Sequence, residues 1–280
     1  MNAKQVPQLF VATGASKWGD PEHFPWTMGW QPNYQTESRA YASYILKNHP
    51  NAKIGILFQN DDYGKDYLKG FKDGLGNKAS KMIIAEVSYE VTDATIDSQI
   101  VSLQGSGADT FFNITTPKFA AQAIRKSYDL GWRPLHFVNN VSASIAAVLQ
   151  PAGLEKSVGL ISISYSKDPS DPPWKDDKGV KDYSAFMKKY YPDGNPIDAG
   201  SAYGYGAAQT LVQVLKQCGD DLTRENVMRQ AANLKDLELP LALPGMKINT
   251  SPTDFYPIKQ VQLARFDGKT WVRFGELMSR

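Results

Sequence analysis

Residues 52–75 read AKIGILFQNDDYGKDYLKGFKDGL, and this stretch decides the fold class. Ala52–Phe58 is a short apolar run that stops at polar turn residues, the signature of a buried strand. From Tyr63 the apolar positions change period. Tyr63, Tyr67, Leu68, Phe71 and Leu75 fall on one face of a helix. A strand, a polar turn and a helix make one βα unit. The glycines of 70–76 lie at the helix end, where glycine serves C-capping.

The unit repeats downstream. Lys81–Ser88 reads as a strand and Thr95–Leu103 as a helix that ends at Gly105. Asp109–Ile114 is a strand, and Pro117–Leu130 a helix with proline near its first position, where a missing N–H costs little. Leu135–Asn139 and Val158–Ser164 are further strands, with a helix begun by the capping serine of Ser144–Leu149 between them. Upstream, Val6–Ala12 reads as a buried strand. Four or five βα units in series predict a mostly parallel sheet with helices on both faces. Such sheets take ligands at the carboxyl ends of their strands.

After Tyr165 the pattern changes. Ser166–Asp182 is polar and proline-containing, a long connection. Helical segments follow at Tyr183–Tyr190, Tyr203–Gln217 and Arg224–Leu234, the last with Thr223 available as a cap. Ile258–Phe266 and Thr270–Phe274 close the chain as strands joined by the hairpin turn Asp267-Gly268. The helices of 183–234 have apolar faces but few strands to cover, so their sheet is expected to be incomplete.

Composition narrows the function. The chain has 280 residues, 42% of them apolar, and a net charge of +2 with both signs interleaved. No basic stripe marks a nucleic-acid partner, and no run of eighteen apolar residues marks a membrane span. The lone Cys218 reads as a small buried hydrophobe, and His23, His49 and His136 have no metal-ligand spacing. Neither a cofactor nor a metal is expected. Val6–Ala12, interrupted by Pro7 and Gln8, is too short for the apolar core of a secretory signal.

Several segments, in this order and spacing, resemble the Leu/Ile/Val-type periplasmic binding proteins of ABC transporters. They are VPQLFVATGAS (6–16), Trp26–Gln31, QNDDYGKDYLKGFKDGL (59–75), GADTFFNITTPKFAAQAIRKSYDLGW (107–132) and AYGYGAAQTLVQVLKQCG (202–219). The resemblance implies a type I periplasmic-binding-protein fold: α/β, two Rossmann-like lobes with parallel sheets and helices on both faces. It places lobe one at 1–28 and 167–252 and lobe two at 29–166 and 253–280, joined by hinge crossings. It also implies that opening βα units of lobe one are missing here, whether through a truncated gene, a mis-set start codon or an engineered fragment. Such a chain is expected to self-associate. The implied role is the extracytoplasmic, periplasmic substrate-binding component of a transporter. Its partners would be a small carboxylate solute, held between the lobes, and the permease subunits.

The resemblance assigns ligand contacts to Thr13, Gly14, Ala15 and Ser16, to Tyr63, to Thr115 and Thr116, to Asn140 and Val141, and to Tyr203. Read as residues alone, several have a second meaning. Gly14-Ala15-Ser16 is also a turn with a helix cap, Tyr63 also a core aromatic, Thr116 also a helix cap, and one of Tyr203 and Tyr205 a packing residue. In relatives that bind amino acids, the segment at 139–144 offers an acid to the ligand ammonium. Here it reads Asn139-Asn140-Val141-Ser142-Ala143-Ser144, without Asp or Glu. An apolar or aromatic acid is therefore the expected solute, since a buried ammonium needs a paired charge.

Two other classes remain. An α/β enzyme acting on a small acid would need a catalytic motif. The chain shows no G-x-S-x-G elbow, no P-loop and no GxGxxG after a strand, and Asp61-Asp62 reads as a solvated turn. A ligand-sensing receptor domain of the same fold would differ by an attached signalling segment, not by its fold.

Overall fold

The structure is a computed structural model that describes residues 1–279. The chain forms two compact units. Unit 1 comprises Met1–Asn33 and Tyr165–Val261, with the chain end from Met278; unit 2 comprises Tyr34–Ser164 and Gln262–Leu277. The chain thus changes unit after residues 33, 164, 261 and 277, where the sequence reading places three changes, after 28, 166 and 252.

Unit 1 opens with β1 (Gln8–Val11) and β2 (Thr27–Gly29), a parallel pair. Unit 2 runs α1 (Tyr34–Asn48), β3 (Ile54–Gln59), α2 (Asp62–Leu75), β4 (Ile83–Tyr89), α3 (Asp97–Gly105), β5 (Thr110–Ile114), α4 (Pro117–Asp129), β6 (Leu135–Val138) and β7 (Ile161–Ser164). Unit 1 resumes with α5 (Lys178–Tyr190), α6 (Ala199–Cys218) and α7 (Arg224–Ala231). The strands β8 (Gln260–Phe266) and β9 (Trp271–Ser279) complete the sheet of unit 2.

That sheet has seven strands in the order β4-β3-β5-β6-β7-β8-β9. The first five are parallel, as successive βα units require. β8 lies antiparallel to β7, so the sheet is mixed rather than wholly parallel. Between these two strands the chain runs through unit 1, α5 to α7 included, so they are not joined by the single crossover helix of a βα unit, which is what favours parallel pairing.

β5 shows why helices cover both faces. Its neighbours Phe111 and Phe112 point to opposite sides and both are fully buried. Phe112 meets Tyr41 of α1 and Phe71 of α2, with ring centroids 5.4 and 4.7 Å away. Phe111 packs with Ile100 and Leu103 of α3, Phe119 and Ala123 of α4, and Trp132. α1 and α2 pack so closely that a Cβ at Gly70 would lie 2.3 Å from Gln35 Cα.

Local differences from the sequence reading have local causes. α1 escapes an apolar-period search because its buried face includes Glu37 and Ser38. β1 is not a buried strand: only Phe10 is buried, and it holds a left-handed φ of 58° where the β1–β2 register shifts. Val158 is exposed and precedes β7. α5 and α6 begin earlier than their apolar pattern, because Asp177 and Asp198 accept the N–H groups of Val180 and Ser201. Thr223 does not cap α7 with its side chain; its hydroxyl donates to Asp221. The stretch Ser144–Leu149 forms a π-helical turn, with Ser144 accepting from Ala147 N–H.

In unit 1, β1–β2 is the one sheet among the described residues. Its main core gathers Phe10, Met28, Trp30, Val214, Cys218 and Leu234. Trp30 lies against Gly206 and donates its indole N–H to Thr210 Oγ1 at 2.9 Å. On its other side α6 leaves Leu211, Val212 and Leu215 exposed.

Candidate functional site

The parallel strands of unit 2 end together, and the residues that end or follow four of them are polar. Gln59 ends β3, Tyr89 ends β4, Thr115 and Thr116 follow β5, and Asn139 and Asn140 follow β6. Tyr89 donates its phenol to Gln59 Oε1 at 2.9 Å and accepts Thr116 N–H at 3.0 Å. Thr116 Oγ1 lies 3.3 Å from Gln59 Oε1 and 3.3 Å from the Tyr89 phenol. It makes no side-chain cap to α4, although Thr116 occupies the cap position. The hydroxyl is thus turned toward the strand ends.

The Thr115 carbonyl is the centre of a second group. It accepts from Tyr63 Oη at 3.1 Å, Asn139 Nδ2 at 2.9 Å and Ser142 Oγ at 2.5 Å. The Thr115 side chain is fully buried, with its hydroxyl donated to Asn113 Oδ1 at 2.7 Å. Thr115 therefore works through its carbonyl, as an anchor for Tyr63 and the segment after β6. Tyr63, Thr116, Asn140 and Val141 are only half-buried. Tyr63 stands edge-on to Tyr34 and Tyr67, with centroids 5.3 Å away in each case. Burial raises the Tyr63 and Tyr89 phenols above their ordinary value, so both keep their protons.

Asn140 is held from beneath by Glu37 of α1, a fully buried carboxyl. Glu37 Oε1 accepts Asn140 N–H at 2.7 Å and Tyr41 Oη at 2.6 Å. Its Oε2 accepts Tyr67 Oη at 2.7 Å and the Asn140 side-chain amide. Burial pushes Glu37 up to about 7 against the pull of these donors, the Tyr41 and Tyr67 phenols foremost.

Unit 1 carries the other expected residues. The loop Thr13–Ser16 leaves β1 with Thr13 N–H bonded to Val11 O at 2.8 Å and Ala15 N–H to Thr13 Oγ1 at 3.1 Å. Asn33 Nδ2 reaches Ser16 Oγ at 3.1 Å and Gly14 O at 3.4 Å. Tyr256 donates to Ser16 O, and its ring lies over Gly19, where no side chain would fit. Tyr203 of α6 donates to Val11 O at 3.2 Å and stands edge-on to Trp30 at 4.9 Å. Tyr205 instead packs among Tyr183 and Phe186 of α5.

Gln59, Tyr89, Asn33 and Tyr256 were not singled out in the sequence. The rule that ligands meet strand carboxyl ends would have drawn attention to Gln59 and Tyr89. Nothing local points to Glu37. His136 is buried against Asn113, with its pKa lowered to about 3 by burial, so it stays neutral. A shallow cavity of about 380 Å³, lined by His49, Asp109, Thr110 and Leu135 among others, lies at the opposite, amino ends of β5 and β6.

The sequence model described as periplasmic binding protein matches residues 1–270. The chain belongs to the periplasmic binding protein family. That family consists of solute-binding proteins rather than enzymes. This periplasmic binding protein is 24% identical over 188 residues to the Leu/Ile/Val-binding protein homolog 1 of Brucella suis biovar 1 (strain 1330). The match takes in 65% of this chain and 46% of the relative, so the chain spans about half of that relative's length. Among solved structures, a substrate-binding periplasmic protein from Ralstonia solanacearum superposes with a TM-score of 0.81 at 19% identity, covering 97% of this chain and 74% of its own. A branched chain amino acid ABC transporter protein from Thermus thermophilus, with bound valine, gives 0.83 at 14% identity, covering 100% and 74%. These likenesses establish the type I periplasmic-binding-protein fold. No helix of the described residues is long and apolar enough to cross a membrane.

Proposed function

We propose that this periplasmic binding protein is the extracytoplasmic substrate-binding component of an ABC transporter, and that its solute is a small carboxylate with an apolar or aromatic body. Each unit brings its own contacts: Thr13–Ser16 with Tyr203 in unit 1, and Tyr63, Thr116, Asn140 and Val141 in unit 2. Thr115 serves as their anchor. The name of the Thermus relative supports the transport class, and the valine bound to that relative, an amino acid, shares a carboxylate with the proposed solute. The permease subunits are then its partners, and the periplasm its place.

One observation carries the choice of solute. Within 139–144 the residues with exposed surface are Asn140, Val141, Ala143 and Ser144, and the one acid that touches the segment is closed off. Both Glu37 oxygens are filled by two donors each, and the residue has no exposed surface. A carboxylate has about four acceptor sites, so Glu37 has none left for an ammonium. Asp61, two positions past β3, accepts Gly64 N–H at 3.1 Å on one oxygen and Gln59 Nε2 on the other, and it is exposed, with its remaining acceptor sites open to solvent. What this segment leaves partly exposed beside Asn140 is Val141, Ala143 and Ser144, an apolar surface with one hydroxyl and no acid, which suits an acid without an amino group.

The test is calorimetric titration of the purified chain with benzoate, L-leucine and L-valine. Benzoate is expected to bind and the two amino acids to give little heat. Tight leucine binding with no response to benzoate would overturn the reading.

A further inference from the structure

We propose that Glu37 is the positioning residue of the unit 2 binding surface: its carboxylate fixes Asn140 at the end of β6, and taking up a proton loosens that grip. The inference rests on the solute-binding reading above and deepens it. Glu37 and Asn140 lie 103 positions apart, yet the carboxylate holds both the backbone N–H and the side-chain amide of Asn140. The arrangement is paired. Oε1 takes one tyrosine, Tyr41, and the Asn140 N–H; Oε2 takes the other tyrosine, Tyr67, and the Asn140 Nδ2.

That pairing sets what a proton does. A phenol can turn and accept from a protonated carboxyl, but an amide N–H can only donate. Tyr41 has somewhere to turn: its phenol also lies 3.2 Å from Val138 O and 3.4 Å from Ser162 Oγ, while accepting Ile163 N–H at 3.1 Å. When Oε1 gains the proton, Tyr41 turns to these acceptors and the Asn140 N–H contact on that oxygen weakens. The groups facing Glu37 are Tyr41 on its own helix, Tyr67 on α2 and Asn140 after β6. Tyr34 and Tyr63 surround Tyr67, and no Lys, Arg or His is paired with Glu37 among the described residues. Both bonded phenols are held well above their ordinary value by burial, so Glu37 is the group that changes charge near neutral pH.

The free protein gives a ligand-independent test. The Asn140 backbone amide is followed by ¹H–¹⁵N NMR between pH 5 and 9 in the wild type, in Glu37→Gln and in Tyr67→Phe. The wild-type resonance is expected to move with one midpoint near neutrality and to stay still in Glu37→Gln. Tyr67→Phe removes a donor from Oε2 and is expected to raise the midpoint by about one pH unit. A flat wild-type titration, the same movement in Glu37→Gln, or an unshifted midpoint in Tyr67→Phe overturns the proposal. Benzoate affinity then reads the consequence. It is expected to be about tenfold weaker at pH 5.5 than at pH 8.5 in the wild type, in line with one lost charged hydrogen bond, and pH-independent in Glu37→Gln. An equal pH dependence in both proteins overturns the link to binding. Silence toward benzoate in every protein, with the amide titrating as expected, leaves the Glu37 grip standing and removes the choice of solute.

Discussion

Glu37 should make the stability of unit 2 depend on pH in a direction opposite to that of most carboxylates. Its pKa rises from an ordinary value of 4.5 to about 7 in the folded protein. The folded state therefore binds the proton more tightly than the unfolded chain. The stabilisation is full below the unfolded value and is lost as pH rises through the folded one. A rise of that size corresponds to about 3 kcal/mol, of which about half has gone by pH 6. His136 works against it. Its pKa falls to about 3 on burial, so its contribution is present above its ordinary value of 6.5 and is lost as pH falls. The wild-type curve alone mixes the two effects. The difference between wild type and Glu37→Gln cancels His136 and isolates Glu37. Urea unfolding followed by circular dichroism at pH 4.5, 6 and 8 measures it. The stability difference, wild type minus Glu37→Gln, is expected to fall by about 3 kcal/mol from pH 4.5 to pH 8. A difference that stays constant, or grows with pH, would refute the reasoning that burial outweighs the four donors.

Other positions test the packing and the site separately. Gly70→Ala drives a methyl into Gln35 Cα, a backbone atom that cannot step aside, so α1 and α2 must part; a loss of about 3 kcal/mol in urea unfolding is expected. Gly19→Ala meets the Tyr256 ring at 1.8 Å and should displace it from Ser16 O. About 1–3 kcal/mol of destabilisation is expected, with increased hydrogen exchange across 13–20 as the local readout. Thr210→Val leaves the buried Trp30 indole N–H without its acceptor and should lower stability by about 1–3 kcal/mol; an unchanged melting temperature would contradict it. Thr116→Val keeps the shape but removes the hydroxyl turned toward Gln59 and Tyr89. Benzoate binding is expected to weaken about tenfold, without a comparable change in the thermal transition.

The fold was legible wherever burial followed a simple period. AKIGILF and the Tyr67–Phe71–Leu75 face gave β3 and α2 within a residue or two, and the same logic gave β5 and α4. It failed for α1, where a glutamate and a serine occupy buried helical positions, because a hydropathy pattern cannot anticipate hydrogen bonds that make polar burial tolerable. It also overstated β1, whose run of apolar letters is only partly buried around a left-handed Phe10 that alone is fully in the core. At the site, the strand-end position of Thr115 and Thr116 could be read, but their division of labour could not. Thr115 turns inward to Asn113 while Thr116 turns to Tyr89.

The sequence by itself determined the alternation of strand and helix in unit 2. Backbone geometry converts that alternation into parallel strands, and so into one edge where polar loop residues collect. It also determined that no acid lies within 139–144. Only the tertiary structure decided that an acid stands behind that segment all the same, delivered by α1 and closed by two tyrosines and Asn140 itself. The physical reason is one of range. Periodicity is a local property that each residue imposes on its neighbours, whereas a buried carboxyl takes its partners from whatever the packing of distant elements brings within about 3 Å.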